Sequence, residues 1–174
     1  MKCFDKKGVV LTCSSFSKTL STGLRVGWVI TEKYKEKILD SKAIHLLSAP
    51  LINAHAVANY LVEENYSRHI YRLKRAFEYQ MESLSEKVQA SFPQDTKISN
   101  PAGSFFLWVQ LPSNIDTEAA FVNLIEKGIA IAPGSMFSAE SGFRNFMRLS
   151  CGFPDTPEGD RAIWQIAEEI KRQA

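Results

Sequence analysis

The most regular pattern of apolar and polar positions lies between Ser67 and Ser91. Ile70, Leu73, Phe77, Met81, Leu84 and Val88 recur there at three- and four-residue steps. That period predicts one long amphipathic helix, of a length that suits a helix bridging two lobes. Upstream, Val9 to Thr12 is short, apolar and rich in β-branched residues and predicts a buried strand; Val26 to Thr31 predicts the next. Thr31 can cap a helix starting at Glu32, with Tyr34, Ile38, Ile44 and Leu47 as an imperfect stripe. Ser48-Ala49-Pro50 breaks that pattern. A second helix is predicted from about Pro50 to Glu64, with Leu51, Ala54, Ala58 and Leu61 on one side and Asn65 as its stop.

After Phe92-Pro93 the texture changes. Lys97 to Ser99 reads as a weak strand, Pro101-Ala102-Gly103 as a turn, and Ser104 to Leu111 as a strong aromatic strand. Asp116 or Thr117 caps a helix to about Lys127 that stops at Gly128. Ile129 to Ala132 and Asn145 to Cys151 read as strands, with Pro154 ending the latter stretch. Thr156-Pro157-Glu158 carries the cap, proline and acid of a helix start, and the closing helix covers Asp160 to Arg172. The fold class this order implies runs from α/β to α+β. Residues 1–66 read as a remnant of a larger α/β lobe, and residues 67–174 as a compact lobe of helices packed on a small sheet.

Composition narrows the classes without choosing among them. Hydrophobic residues make up 45 % of 174, enough for a sizeable core, and the net charge is +2. Arg68, Arg72, Lys74 and Arg75 form a basic stripe, which a solvated helix explains without nucleic acid. Cys3, Cys13 and Cys151 are an odd, widely spaced set, neither a disulfide framework nor a metal cluster, and fit reduced cytosolic thiols. No apolar run reaches the roughly 18 residues of a membrane span, and the opening residues lack a signal peptide's apolar segment. A cytoplasmic location is the expectation. His45, His55 and His69 are scattered and read as surface or packed helix residues.

The chemistry gathers between Ser14 and Trp28. Three hydroxyls (Ser14, Ser15, Ser17) precede Lys18, and Gly23 and Arg25 follow within one short loop. A lysine amine can form an imine with a carbonyl cofactor, while hydroxyls and a planar guanidinium can hold that cofactor's phosphate. The alternative is a solvated surface lysine with ordinary loop-capping serines. Further on, Arg148 stands in a strand between Met147 and Leu149, and an arginine so placed needs an anion. A substrate carboxylate is one partner; a structural salt bridge is the other.

Cys-Ser-Ser-Phe-Ser-Lys-Thr-Leu (Cys13 to Leu20) followed by Gly-Leu-Arg-Val-Gly-Trp (Gly23 to Trp28) closely resembles the pyridoxal-phosphate lysine segment of fold-type I aminotransferases. The closest likeness is to the aminotransferase-like domain of the MocR branch of GntR transcription regulators. Pro101 to Trp108 resembles that family's Pro-x-Gly-Gly-x-Phe-x-Trp stretch, with Ser104 in place of the second glycine; Phe106 and Trp108 within it read as core residues rather than ligand stackers. Pro133 to Phe137 resembles its Pro-Gly-x-x-Phe turn.

The resemblance implies the end of the large domain of a pyridoxal-phosphate transferase followed by its small C-terminal domain. It makes Lys18 the Schiff-base lysine, places Arg25 with Ser15 and Ser17 at the phosphate, and gives Arg148 an amino-acid carboxylate. Implied partners are pyridoxal 5'-phosphate, an amino acid or amine as effector or substrate, and a second copy. DNA would be met only through a winged helix-turn-helix outside this chain; no metal and no membrane are implied. The groups that pair with the pyridine nitrogen and stack on the ring have no counterpart here, so the expectation is a C-terminal part of a longer protein that binds the cofactor weakly alone. Two alternatives stand beside the regulator: a genuine amino-acid:2-oxo-acid aminotransferase, and a cofactor-free dimerisation or binding module.

Overall fold

The computed structural model describes residues 2–46, 48–62, 65–140, 142–152 and 155–173. The expectations placed on Leu47, Glu64 and Pro154 lie outside these. The chain forms two compact units, Met1–Leu73 and Lys74–Ala174.

In the first unit, β1 (Thr12–Ser15) pairs antiparallel with β2 (Gly27–Ile30), in register from Thr12 opposite Ile30 to Ser15 opposite Gly27. Helices α1 (Lys35–Leu46) and α2 (Leu51–Val62) follow, and α3 (Asn65–Ser91) begins in this unit. The predicted buried strand at Val9 to Thr12 is corrected: β1 starts at Thr12, and Val9 and Leu11 are exposed. The cause is Asp5. Its carboxylate accepts from the backbone N–H groups of Lys7, Val9 and Val10, at 3.2, 3.1 and 2.8 Å. The amides of Val9 and Val10 are thereby taken before a ladder can use them. Those N–H groups, that of Val10 foremost, also hold the Asp5 carboxyl below its ordinary pKa.

The start of α1 differs too. The Thr31 hydroxyl accepts from Tyr34 N–H at 3.3 Å and so closes a turn, while the first helical bond runs from Ile38 N–H to the Tyr34 carbonyl. Asn65, read as a stop, is the first residue of α3.

The second unit holds the core. A four-stranded antiparallel sheet has the order β3 (Lys97–Ile98), β4 (Phe106–Gln110), β6 (Phe146–Ser150), β5 (Ala132–Pro133). Helix α4 (Thr117–Ile125) lies between β4 and β5 in sequence, and α5 (Pro157–Lys171) closes the chain. Strand alternation sends Leu107, Val109, Met147 and Leu149 to the buried face. There they join Leu84 and Val88 of α3, Ala120 and Leu124 of α4, and Ile166 and Ile170 of α5 in one cluster. Phe106, Trp108, Phe146 and Arg148 alternate onto the opposite, half-buried face.

Local signals set the helix ends. The Asp116 carboxylate accepts from Glu118 and Ala119 N–H and caps α4, and Thr156 caps α5 with Pro157 in its first turn. Thr117 does not cap: buried, its hydroxyl lies 2.8 and 2.7 Å from the carbonyl oxygens of Arg144 and Phe146. Lys87 of α3 meets Asp155 and Asp160 at 3.0 and 2.6 Å, tying the start of α5 to the long helix. Among the described residues no helix is long and apolar enough to cross a membrane.

Glu169 is buried on α5. It accepts from Asn123 at 2.7 Å and pairs with Lys127 and Arg172 at 3.4 and 3.5 Å. The Asn123 hydrogen bond, then the cations, outweigh burial and lower its pKa. A lowered carboxyl pKa adds stability above the ordinary carboxylate range, about 4.3. That stability disappears as pH falls through the lowered value. Glu169→Gln is therefore expected to cost about 1–2 kcal/mol at pH 7, with the gap to wild type narrowing below about pH 4. Urea unfolding across pH 7 to 2.5 measures it; a constant gap would count against the ionised form.

Candidate functional site

Of the residues predicted for the phosphate and the lysine, Ser17, Lys18 and Arg25 fall on the connection between β1 and β2. Ser15 ends β1, and Phe16 N–H donates to the Val26 carbonyl at 3.0 Å, so the connection is closed at its base. Phe16 then opens a single helical turn: Leu20 N–H reaches the Phe16 carbonyl at 2.8 Å and Thr19 N–H at 3.3 Å. Lys18 is in the middle of that turn and is exposed; Ser17 is half-buried.

A short 3-10 turn, Thr22–Leu24, follows, capped by the Ser21 hydroxyl accepting from Gly23 N–H at 3.3 Å. Arg25 ends it with φ 53° and ψ 36°, a left-handed conformation that a side chain adopts at a cost. On the far side Gly27 faces Ser15. A Cβ on Gly27 would stand 2.9 Å from the Ser14 carbonyl oxygen and 3.3 Å from Ser15 Cβ.

The donor set on this loop suits a phosphorylated carbonyl compound. It offers an exposed amine, two hydroxyls and a guanidinium. Among the described residues neither Lys18 nor Arg25 has a carboxylate partner.

Arg148 belongs to the second unit. It pairs across the sheet with Trp108. Its guanidinium carbon lies 4.1 Å from the Phe106 ring centre and 4.6 Å from that of Phe137. Both contacts are within cation–π range. Among the described residues no carboxylate pairs with Arg148, so the structural salt bridge kept open from the sequence is not found there. A guanidinium lying against rings keeps its N–H edge for a planar acceptor. Trp108 extends the aromatic wall, 5.5 Å from Phe137, 5.9 Å from Phe143 and 5.6 Å from Phe146. Phe106 and Trp108, expected in the core, thus line the half-buried face instead.

Ser104 takes φ 105°, a region that favours glycine, while Gly103 has an ordinary φ and open space where a Cβ would stand. The glycine-demanding place is therefore filled by serine. Its hydroxyl gives back part of the cost by accepting from Phe106 N–H at 3.2 Å. Ser104→Gly is expected to stabilise the protein by about 1 kcal/mol net of the added freedom of the unfolded chain. The melting midpoint should rise by roughly 2–4 °C; a fall would mean the hydroxyl's bond outweighs the strain.

Sequence reasoning missed the side chains that hold the Lys18 loop. His69 Nε2 lies 2.6 Å from the Thr19 carbonyl, the Tyr66 hydroxyl 3.2 Å from Thr19 Oγ1, and Asn53 Nδ2 2.9 Å from the Leu24 carbonyl. No local signal announces partners so far apart in sequence.

The two-strand loop with its lysine and arginine, and the antiparallel sheet beyond α3, are the fold of the C-terminal part of fold-type I aminotransferases. The chain belongs to the class I and II aminotransferase family, whose profile matches residues 2–163. It is 35 % identical over 170 residues to the uncharacterized HTH-type transcriptional regulator YjiR of Escherichia coli, covering 97 % of this chain and 36 % of that protein. It is 31 % identical over 178 residues to an uncharacterized aminotransferase of Saccharolobus solfataricus, covering 99 % of this chain and 43 % of that one. Among solved structures, the kynurenine aminotransferase of Pyrococcus horikoshii in complex with PMP superposes with a TM-score of 0.86 at 28 % identity, over 98 % of this chain and 43 % of the enzyme. The chain thus spans about two fifths of the length of these relatives.

Proposed function

We propose that this chain is part of a pyridoxal-5'-phosphate-binding, aminotransferase-like effector domain of a GntR/MocR-type transcription regulator. Residues 1–66 supply the lysine loop of the large domain, and residues 67–174 form the small domain. The observation that supports this reading most is that Ser17, Lys18 and Arg25 share one loop closed by the Phe16–Val26 hydrogen bond, with Ser15 at its base on β1.

When bound, the cofactor supplies an electron sink for charge developing at a substrate's α-carbon. Lys18 holds it through its amine and, when free, moves the proton at that carbon. Arg25 binds the phosphate through its planar fork, with Ser15 and Ser17 donating from their hydroxyls. Arg148, whose guanidinium lies against the Phe106 and Phe137 rings, receives the carboxylate of an amino-acid effector or substrate. DNA contact belongs to a separate winged helix-turn-helix.

Addition of pyridoxal 5'-phosphate is expected to give weak absorbance in the imine region that Lys18→Ala removes. Identical spectra for the two proteins would remove the cofactor role. A second reading, a genuine amino-acid:2-oxo-acid aminotransferase, is favoured by the Saccharolobus aminotransferase, nearly as similar as the regulator. The gene sequence upstream of Met1 separates the two: a winged helix-turn-helix supports the regulator, a bare N-terminal arm the enzyme.

A further inference from the structure

We propose that His69, assisted by Tyr66, is the positioning group of the Lys18 loop; the inference rests on Lys18 being the cofactor lysine. A reacting amine must be held within about 0.5 Å of its productive place, which an exposed loop does not achieve by itself.

Here the turn carrying Lys18 is fixed at both ends. At its start Phe16 is bonded to Val26, and its ring meets Tyr66 edge-on at 6.1 Å. At its end both polar groups of Thr19 outside the turn's own bonding are taken from α3. The carbonyl is met by His69 Nε2 at 2.6 Å and the hydroxyl by Tyr66 at 3.2 Å. A carbonyl only accepts, so Nε2 carries the proton and donates. Tyr60 of α2 packs edge-on against both clamp residues, at 6.4 Å from Tyr66 and 6.2 Å from His69. His69 and Tyr66 are both half-buried, where a donated hydrogen bond is worth more than at an open surface. Lys18 itself, between the two anchors, stays exposed. Backbone fixed and amine free is the arrangement an attacking lysine needs.

The test compares wild type with His69→Leu, His69→Gln and Tyr66→Phe. Two readouts are used: amide hydrogen exchange, and borohydride trapping of pyridoxal 5'-phosphate followed by peptide mapping. In His69→Leu the amides of Thr19 and Leu20 are expected to exchange at least tenfold faster, with those of β4 and β6 unchanged. The share of trapped cofactor found at Lys18, relative to Lys33, Lys35 and Lys37, should fall severalfold. His69→Gln, whose amide can still donate to the Thr19 carbonyl, should restore both. Tyr66→Phe keeps the ring contacts and loses only the hydroxyl, so a rise of about threefold is expected, and this variant decides the matter if His69→Leu does not fold. Unchanged exchange in His69→Leu, or failure of glutamine to restore the loop, overturns the clamp. A loop that opens in His69→Leu while wild type shows no preference for Lys18 overturns the cofactor reading and with it the functional half of this proposal.

Discussion

Gly134→Ala is expected to destabilise the second unit by about 3 kcal/mol, the upper end of ordinary overpacking. Gly134 is buried at the start of the 3-10 turn Gly134–Phe137. A Cβ there would stand 2.3 Å from the Phe143 carbonyl oxygen, 2.7 Å from Phe146 Cβ and 2.9 Å from the Phe146 carbonyl oxygen. Two of these three neighbours are backbone, so no side-chain rotation relieves the clash. The strand must move, and with it Phe146, which stacks on Trp108 beside Arg148. Two measurements are expected to respond together. The melting midpoint should drop by roughly 6–12 °C, and the near-ultraviolet signal of Trp108 should change even well below it. An alanine variant as stable as wild type would mean that the Pro133–Phe137 turn packs less tightly on β6 than described.

The second large effect concerns the first unit. Its described residues contribute one buried hydrophobic side chain, Val57, whereas the core cluster of the second unit is extensive. Trp28, Val29 and Ile30 of β2 are all exposed, Ile30 at 57 %, and on α2 Ile52 reaches 84 %. Among the described residues β1 and β2 pair with each other alone, which leaves an open edge on each side. Apolar surface of this kind marks an association site. The chain is expected to self-associate through β2 and α2, giving a light-scattering mass above the monomer at tens of micromolar. Ile30→Lys with Ile52→Lys should return it to the monomer. A soluble monomer of the unmodified chain would show that these surfaces need no cover.

What the sequence made legible were features in which a side chain answers its own neighbourhood. Asp116 and Thr156 cap the helices they were expected to cap, and Gly128, with φ 76°, stands where α4 gives out. Arg148 was legible as the polar position between Met147 and Leu149, and β6 does bury those two neighbours. The failures share one cause, competition from a partner that local pattern does not contain. Val9 and Val10 have strand-like side chains, yet Asp5 holds their amides. Phe106 and Trp108 look like core, yet Arg148 and Phe137 come to meet them. His69 has an unremarkable helical setting, and its meaning is the Thr19 carbonyl at the other end of the unit. The site residues Ser15, Ser17, Lys18 and Arg25 were legible as a string. That a ladder bond closes their loop and a strained φ sets Arg25 was not.

In the proposed function, one amine and one guanidinium on the β1–β2 loop act together on a phosphorylated aldehyde. The direct measurement is borohydride trapping at Lys18 with pyridoxal 5'-phosphate and, separately, with pyridoxal, which lacks the phosphate. Peptide mapping in wild type and Arg25→Ala reads the site. Wild type is expected to label Lys18 at least tenfold better with the phosphorylated aldehyde, and Arg25→Ala to lose that preference while still reacting. Equal labelling by both aldehydes, or a phosphate preference that survives without Arg25, would show that the two side chains do not act together.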